Sequence, residues 1–483
     1  MNEINIVGRG REIELLDEII QSSKAELVAV YGRRRVGKTF LLRTYLQQKI
    51  NFQFSGLHHV DTEVQLQNFT KALSIQLNNK IPLEVPDNWF TAFDLLQALL
   101  AKKMRLKKVV LFLDEFPWLQ TPKSNFIAAF ENFWNNWAST KNNVVVILCG
   151  SAASWMIKNI VRNKGGLHNR ITRKMPLQPF TLHETEQFLK KRNVHLNRFQ
   201  IIQLYMAIGG IPLYLENVKP GLSTAQIIEQ ECFSKNGLLY NEFNDLYKAL
   251  FDDAEKHLKV VKALAAKPNG MMRNELIKAC KFQSGGTITE LLDELSASNF
   301  ISAYIPYGKK SKDAIYKLTD AYSLFYLKFI EPKNTLGKGS WQKIADTQTW
   351  KIWSGLAFET LCIQHHEAIK VALGIQGIYT EVSAWKDKNS KGKSTTQIDM
   401  LIDRRDGCIN ICEMKFYDNT FVIDKKYAEN LRNKKTTFKS ITKTRKQLFF
   451  TLVTTYGLKQ NEHSIGLIEQ AVTINDLFRK ISF

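Results

Sequence analysis

The amino-acid sequence predicts a multidomain α/β protein, on the evidence of its length and its hydrophobic pattern. A chain of 483 residues is too long for one ordinary core, since domains typically hold roughly 100 to 200 residues. Between residues 26 and 180, short β-branched runs alternate with helical patterns, and such runs suit strands buried on both faces of a parallel sheet. The clearest runs are ELVAVYG, VVLFLDEF and NVVVILCGS.

Shifts in this pattern divide the chain into four predicted domains. Residues 1–180 carry the strand-like runs and residues 181–245 are helical, which indicates an α/β core followed by a helical lid. Residues 246–330 hold three helical segments and then two strand-like runs around a lysine-rich turn, the order of a winged helix-turn-helix. After a loop at 333–340, residues 345–483 form a second α/β core.

The charge of the chain indicates a polyanionic partner. Lys and Arg number 67 against 46 Asp and Glu, a formal net charge of +21. An excess of this size holds nucleic acid close through counterion release, and DNA is the partner that we expect first. The alternative is a basic protein whose charge serves solubility alone.

Cysteine usage and hydropathy indicate a reduced, cytoplasmic location. The six cysteines are scattered, lack CxxC spacing and lie mostly within apolar runs, where cysteine acts as a small core residue. The N-terminus MNEINIVGRGREIELL carries charge where a signal peptide requires an apolar run. No stretch reaches the roughly 18 uncharged apolar residues of a membrane span, so we expect no membrane partner.

The segment GRRRVGKT matches the P-loop pattern G-x-x-x-x-G-K-[ST]. A strand-like run precedes it and FLLRTYLQQ continues it as a helix, which is the context that the motif requires. The glycines let backbone N–H groups wrap around phosphates, Lys38 reaches the β- and γ-phosphates, and Thr39 ligates Mg²⁺. The predicted cofactors are ATP and Mg²⁺, and the predicted binding residues are Gly32, Arg33, Arg34, Arg35, Val36, Gly37, Lys38, Thr39 and Phe40.

Polar residues end two further strand-like runs. VVLFLDEF contains Asp114, which we expect to hold Mg²⁺, and Glu115, which is placed to polarise an attacking water. An exposed Asp–Glu pair at a strand end is the alternative. NVVVILCGS ends in Ser151, either as a sensor of the γ-phosphate or as the N-cap of a helix that starts near Ala152.

Arginine supplies positive charge that stabilises phosphoryl transfer. Arg170, in LHNRITRKMPLQPF, is the candidate arginine finger, acting within one chain or on a neighbouring subunit. Action on a neighbour would require an ATP-dependent homo-oligomer. Arg33, Arg34 and Arg35 are alternatives, although we expect these loop arginines to face solvent or nucleic acid.

Six ordered motifs cover roughly residues 1–245: IVGRGREIELL, YGRRRVGKTFLL, LFLDEF, ILCGSAASWM, RITRKMPLQPF and GGIPLYLENV. Together they resemble the archaeal-type ATPase family, in the STAND branch of the AAA-like P-loop NTPases. The resemblance implies that Arg9 and Arg11, with Glu12, lie beside the adenine end of ATP. It also implies that Pro212 belongs to a glycine-x-proline element that replaces a sensor arginine. Members of this branch usually act as nucleotide-dependent switches with slow turnover.

The predicted winged helix-turn-helix has an unusual charge pattern. Its third helix, in SGGTITELLDELSASNFI, offers Glu290, Asp293 and Glu294 where base readout normally requires basic and amide side chains. The wing YGKKSKDA supplies three lysines, which suit phosphate contacts without sequence information. In STAND proteins such a domain commonly packs against the ATPase or relays a signal, and we expect that role here, with direct DNA binding as the alternative.

The last domain contains the residue types of a metal-dependent nuclease site. Such a site needs two carboxylates on adjacent strands to hold Mg²⁺ and a lysine beside them to polarise water. QIDMLIDR supplies Asp399, and ICEMKF supplies Glu413 and Lys415 across a predicted hairpin turn, RRDG. Glu413 and Lys415 share one face of their strand, because side chains alternate with period two.

The order of a helix with a glutamate, these two strands, a basic segment and an apolar strand resembles the PD-(D/E)xK nuclease superfamily over roughly residues 345–483. More narrowly, it resembles the domain that follows archaeal-type ATPases in many prokaryotes. The resemblance implies that Glu359, in the first helix, is a further metal ligand. The proline of the superfamily pattern is absent, since Gln397 and Ile398 precede Asp399.

These features predict an ATP-binding and ATP-hydrolysing STAND-type ATPase that controls a magnesium-dependent nuclease-like domain acting on DNA. The alternative is a signalling switch whose C-terminal domain binds nucleic acid or protein without cleavage. The predicted catalytic residues are Glu115, Arg170, Asp399, Glu413 and Lys415. The predicted metal ligands are Thr39, Asp114, Glu359, Asp399 and Glu413.

Overall fold

The structure is a computed structural model. It describes residues 6–76, 83–105, 107–162, 165–251, 253–283, 285–332, 339–387 and 396–481; most of the loop predicted at 333–340 lies outside these ranges. The chain divides into two compact units. One comprises the residues up to Gln178 with Asp293–Asn299, and the other comprises Pro179–Leu292 with Phe300–Phe483.

The first unit is built on a five-stranded parallel sheet. The strands are β1 (Glu26–Tyr31), β2 (Ile50–Ser55), β3 (Val109–Asp114), β4 (Val144–Gly150) and β5 (Arg173–Pro176). The helices are α1 (Gly10–Gln21), α2 (Lys38–Leu46), α3 (Thr62–Gln76), α4 (Trp89–Ala101), α5 (Phe126–Asn136) and α6 (Ala153–Met156). The strand order is β2-β3-β4-β1-β5, and every pairing is parallel. The predicted α/β fold with a parallel sheet is confirmed.

Burial explains why the central strands form where the sequence predicts them. Every residue of β3 and β4 is buried, because helices cover both faces of the sheet. Aromatic side chains fill one of these layers, where Phe93 contacts the rings of Trp89, Phe126, Phe130 and Phe133. This packing fixes the carboxyl edge of the sheet, at which the P-loop lies.

The second unit begins with helices and a small antiparallel sheet. The first helices are α7 (Leu182–Lys191), α8 (Arg198–Ile208), α9 (Pro212–Glu216), α10 (Thr224–Ile228) and α11 (Glu242–Lys248). Next come α12 (Ala254–Ala265), β6 (Met271–Met272), α13 (Arg273–Cys280), α14 (Gly285–Ala297), β7 (Ile301–Tyr304), β8 (Ile315–Leu318) and α15 (Ala321–Phe325); α14 continues into the segment assigned to the first unit. The three strands pair in the order β6-β8-β7. The helices and the two longer strands of the predicted winged helix-turn-helix therefore form in the predicted order.

The C-terminal part of the second unit contains a mixed five-stranded sheet. The elements of this part of the chain are α16 (Gln342–Ala345), α17 (Gln348–Gln364), α18 (His366–Ala372), β9 (Thr380–Lys386), β10 (Gln397–Arg404), β11 (Cys408–Lys415), β12 (Phe421–Val422), α19 (Lys425–Thr442), β13 (Gln447–Thr454), β14 (Leu458–Lys459), β15 (Gln470–Thr473) and α20 (Ile474–Leu477). The strand order in the five-stranded sheet is β15-β13-β11-β10-β9, and β12 pairs with β14 separately. Strands β9, β10 and β11 are antiparallel, whereas β13 and β15 run parallel to β11. Asp424 caps α19, which packs Ala428, Leu431 and Phe438 onto the sheet.

All six cysteines are free thiols. Among the helices that the structure describes, none has both the length and the apolar character of a membrane span.

Candidate functional site

The P-loop connects β1 to α2 at the carboxyl edge of the parallel sheet. Gly32 has φ 151° and Gly37 has φ 87°, conformations that favour glycine. A Cβ on Gly32 would lie 2.3 Å from the carbonyl oxygen of Leu177, so no side chain fits there. The N-terminus of α2 turns its backbone N–H groups and the positive end of its dipole toward the loop. The loop is thus shaped to hold phosphate groups.

Lys38 lies inside this loop. Its Nζ donates hydrogen bonds to the carbonyl oxygens of Gly32 (2.9 Å) and Arg33 (3.0 Å), and the residue is buried. Burial lowers the pKa of Lys38, an effect opposed by the neighbouring Cys149 and by two carboxylates. The ammonium group is therefore fixed next to the backbone that would surround the phosphates.

Thr39 and Asp114 provide oxygen donors beside the loop. The Thr39 hydroxyl donates to Oδ1 of Asp114 at 3.2 Å, and Arg43 lies 3.6 Å from the other carboxylate oxygen. Mg²⁺ is usually bound through one or two protein oxygens together with substrate phosphates. This donor pair fits that chemistry, as the sequence predicts for Thr39 and Asp114.

Glu115 is held by Ser151. Its Oε2 accepts hydrogen bonds from the Ser151 hydroxyl (2.8 Å) and from the Ser151 backbone N–H (3.3 Å). Helix α6 begins at Ala153 with Ala152 as its N-cap, so the alternative prediction of Ser151 as an N-cap is wrong. The structure instead places Ser151 in hydrogen-bond contact with Glu115, the predicted general base.

Arg9 contacts the P-loop backbone. Its guanidinium donates to the carbonyl oxygens of Val36 (2.9 Å) and Gln178 (2.7 Å), and it lies 3.8 Å from Glu12. These bonds tie the loop to the segment before α1 and to the segment after β5. The sequence did not predict that Arg9 would bind the P-loop backbone. Arg11 is exposed, and its position beside adenine stays a prediction.

The remaining loop residues differ in exposure. Arg33 is 1% exposed, so the expectation that the loop arginines face solvent is wrong for this residue. Arg34 and Arg35 are partly exposed, and Phe40 is 59% exposed at the start of α2. Pro212 is the first residue of α9, and its role stays a prediction.

Arg170 lies at the other edge of the sheet. Two residues after it, Thr172 donates its backbone N–H to Leu27 near the start of β1. The P-loop begins at Gly32, five residues further along the strand, which is about 16 Å away at the rise of a β-strand. The exposed Arg170 is therefore not brought to the P-loop of its own chain.

The C-terminal carboxylates lie near each other beyond the paired part of the predicted hairpin. Strand β10 pairs with β11 from Met400 opposite Cys412 to Asp403 opposite Ile409. Asp399 and Glu413 come directly after the Met400–Cys412 pair, where the pairing of β10 with β9 is irregular between Ile398 and Leu401. Gly407 closes the turn with φ 82°, as a tight hairpin requires. Gln397 donates to Asp399 at 2.6 Å. Asp399 and Glu413 therefore occupy neighbouring positions on adjacent strands.

Glu359 lies on α17. Burial raises the pKa of Glu359 from 4.5 to about 7, the charge of Asp399 adds to this effect, and Lys415 and Lys317 oppose it. Glu359 is thus near enough to Asp399 and Lys415 for their charges to act on its carboxyl group, and its role as a metal ligand stays a prediction.

Two residues of α19 complete the surroundings of Glu413. Lys434 Nζ lies 2.6 Å from Glu413 Oε1, and the Tyr427 hydroxyl donates to Oε2 at 3.2 Å. Lys415 Nζ lies 5.4 Å from the centre of the Tyr427 ring, so Glu413 and Lys415 share a face as predicted. The sequence analysis missed Tyr427 and Lys434. Their spacing of seven residues, on the same helix face as the buried Leu431, is the signal that could have indicated them.

The cluster differs from a preformed metal cage. Across the described ranges, no group of three or more His, Cys, Asp or Glu side chains is arranged to hold a metal ion. Asp399 and Glu413 nevertheless provide the pair of carboxylate donors that suits Mg²⁺ together with substrate phosphate.

The fold and the P-loop geometry define the first unit as a P-loop ATPase domain. Residues 6–218 match a family described as an ATPase domain predominantly from Archaea. This part of the chain is therefore an ATPase domain of the archaeal P-loop type. The match includes every residue of the nucleotide site and excludes the C-terminal cluster.

The chain is also similar to two archaeal proteins of Methanocaldococcus jannaschii. An uncharacterized protein is 24% identical over 332 residues, which are 68% of this chain and 69% of the relative. An uncharacterized ATP-binding protein is 44% identical over 46 residues, which are 10% of this chain and 78% of that protein.

Two solved structures align with a large part of the chain. The Walker-type ATPase of Pyrococcus abyssi covers 67% of this chain and 97% of its own, with 19% identity and a TM-score of 0.48. The Aeropyrum pernix ORC2 protein covers 71% and 97%, with 14% identity and a TM-score of 0.38.

Proposed function

We propose that this protein is a STAND-type ATPase switch that binds and hydrolyses ATP with Mg²⁺ and thereby controls a nuclease-like C-terminal domain acting on DNA. The observation that carries the proposal is the position of Asp399 and Glu413 next to each other on paired strands, with Lys415 on the same face as Glu413, in a chain that also contains a P-loop site. The STAND assignment rests on the resemblance of the six N-terminal motifs to the archaeal-type ATPase family of that branch.

In the ATPase domain each group has a distinct part. Lys38 and the loop backbone bind the phosphates, and Thr39 and Asp114 would hold Mg²⁺, which neutralises phosphate charge when bound. Glu115 orients the attacking water and accepts its proton. Ser151 holds Glu115 and so sets the direction of its carboxylate.

In the C-terminal domain Asp399 and Glu413 would hold Mg²⁺, which neutralises the charge that develops on the phosphate. Lys415 lies beside these carboxylates and is suited to polarise a water or to stabilise the phosphate oxygens. Glu359 is the further ligand that the superfamily resemblance implies, and a bound cation would offset the burial and the Asp399 charge that raise its pKa.

DNA is the proposed substrate because of charge. The chain carries +21, and α19, which borders the cluster, has an exposed basic surface. Its exposed basic residues are Lys425, Lys426, Arg432, Lys439 and Lys443, the last of which is the C-cap. Such a surface suits a phosphate backbone and predicts strong dependence of binding on salt.

Magnesium-dependent cleavage of labelled DNA and RNA tests the nuclease proposal. We expect wild type to cut DNA, and Asp399→Ala and Glu413→Ala to abolish cutting while ATP hydrolysis continues. Asp418→Ala is the control, because Asp418 is an exposed carboxylate just beyond β11. Inactivity of wild type on every substrate form would reject the nuclease.

The second candidate function is an ATP-dependent switch whose C-terminal domain binds nucleic acid without cutting. The close ion pair between Lys434 and Glu413 favours it, because an ammonium group already neutralises this carboxylate. DNA binding that persists in Asp399→Ala, without cleavage by wild type, would support this function.

The three helices and small sheet are proposed to act as a winged-helix relay rather than as a DNA reader. The Tyr307 backbone N–H, in the wing, donates to Ala384 of β9 at 2.9 Å. The Tyr307 ring contacts Phe438 of α19, and Asn269 lies 3.4 Å from Gln397, which itself donates to Asp399. The wing is thus engaged by the C-terminal domain. If the chain still bound a specific DNA sequence after deletion of the C-terminal domain, that result would contradict this role.

A homo-oligomer is proposed as the ATP-hydrolysing form. Arg170 is exposed and lies near the start of β1, away from its own P-loop, so it would have to act on the nucleotide of a neighbouring subunit. Arg170 then serves as the arginine finger on that neighbour.

A further inference from the structure

The Glu413 carboxylate is enclosed by donors from one helix. One oxygen accepts a hydrogen bond from Lys434 Nζ, and the other accepts a hydrogen bond from the Tyr427 hydroxyl. The Glu413 side chain is 4% exposed and that of Lys434 is 18% exposed. The ammonium group therefore occupies a carboxylate oxygen that an entering cation would need, and it belongs to the more exposed partner of the pair.

We propose that Lys434 is the resident cation of the carboxylate pair formed by Asp399 and Glu413. It competes with divalent metal in the free protein, and it moves to a phosphate of bound nucleic acid, which opens Glu413 to metal. The inference rests on the proposed function of the C-terminal domain. Lys434 is a positioning residue in this account, since it acts through Glu413.

Charge and flexibility support the exchange. A lysine is a compact cation on a flexible four-carbon stem, so its ammonium can move between a carboxylate and a nearby phosphate. A phosphate bound at the carboxylate pair would lie beside Lys434, whose side chain is 18% exposed. Lys415 remains beside Tyr427 and supplies the second positive charge whether or not Lys434 has moved.

The exchange couples metal binding to DNA binding. If DNA removes Lys434 from Glu413, DNA must increase metal affinity, and metal must increase DNA affinity by the same factor. Removing the Lys434 charge should raise metal affinity even without DNA, because Glu413 is then open to metal. DNA should then have less effect on that affinity.

Calorimetric titration of the full chain with Mn²⁺ tests the competition. Lys434→Met should bind Mn²⁺ about tenfold more tightly than wild type, the scale at which neighbours of metal ligands change affinity. Lys435→Met is the matched control, because Lys435 pairs with Glu469 instead, and it should match wild type. Lys434→Arg keeps the ion pair and should bind no more tightly than wild type.

Titration with Ca²⁺ in the presence of a short DNA duplex tests the coupling without cleavage. DNA should raise the Ca²⁺ affinity of wild type and have a smaller effect on Lys434→Met. Equal or weaker Mn²⁺ binding by folded Lys434→Met would overturn the inference. If Lys434→Met does not fold, either of two other results would overturn the inference. One is tighter Mn²⁺ binding by Lys434→Arg than by wild type, and the other is a Ca²⁺ affinity of wild type that DNA does not change. A protein that passes these binding tests but never cuts DNA would keep the inference and reject the nuclease.

Discussion

Gly32 shows at the scale of one residue why the P-loop sequence is constrained. Its φ is positive, and a Cβ at this position would lie 2.3 Å from the Leu177 carbonyl oxygen, so there is no place for a side chain. Gly32→Ala should destabilise the ATPase domain by roughly 2 kcal/mol or more and weaken ATP binding. Gly10→Ala is the control, since a Cβ there meets nothing within 4 Å. Urea unfolding and nucleotide titration check both variants, and equal stability of the two would refute the steric argument.

His365 makes stability depend on pH. Burial lowers the pKa of His365 from 6.5 to about 4, and Nε2 accepts the Leu182 N–H at 3.2 Å. Because the unfolded state binds a proton at higher pH than the folded state, stability is retained above pH 6.5 and falls as the pH decreases from about 6.5 to about 4. The loss should reach about 3 kcal/mol at pH 4.

Melting temperatures at several pH values check this effect. His365→Gln should lose less stability than wild type between pH 6.5 and 4. His195→Gln is the control, because His195 is exposed, and it should retain the wild-type dependence. Identical profiles for all three proteins would contradict the assignment.

At this scale the motif residues could be predicted, because their chemistry depends on short spacing. Lys38, Thr39 and Asp114 come together as the P-loop pattern requires. For Lys434 the sequence offers only its seven-residue spacing from Tyr427, since its partner Glu413 precedes it by 21 positions and the contact depends on how α19 crosses β11.

At the scale of elements, α19 positions two of the groups around Glu413. Asp424 accepts the Tyr427 N–H at 2.7 Å and so caps the helix. Asp424→Ala should cost about 1 kcal/mol and increase hydrogen exchange in the first turn of α19. Asp418→Ala, which changes an exposed carboxylate, should leave exchange unchanged. Unaltered protection in Asp424→Ala would show that packing alone fixes this turn.

Strand burial decides which elements the sequence reveals. Strands β1, β3 and β4 are interior, so their apolar runs are continuous. The strands β2 and β5 lie at the two edges and carry exposed polar residues such as Gln53 and Lys174. The sequence analysis named neither of these edge strands, because an edge strand lacks the double burial that produces the signal.

At the scale of the whole molecule, the position of Arg170 predicts complementation between subunits. Lys38→Ala and Arg170→Ala should each lack ATPase activity, because one cannot bind the phosphates and the other cannot complete a neighbour's site. A mixture should regain part of the activity, since some interfaces then join an intact P-loop to an intact Arg170. Phosphate release at constant total protein measures this, and a mixture no more active than its components would exclude action between subunits.

The central claim is that ATP at the P-loop controls the carboxylate cluster of the C-terminal domain. The most direct measurement is Mg²⁺-dependent DNA cleavage, with and without ATP, by wild type, Lys38→Ala and Asp399→Ala. Phosphate release is followed in the same reactions. We predict that ATP changes the cleavage rate of wild type, that Lys38→Ala loses both ATP hydrolysis and this response, and that Asp399→Ala hydrolyses ATP but does not cut. Cleavage that is the same with and without ATP, or that survives in Asp399→Ala, would contradict the account.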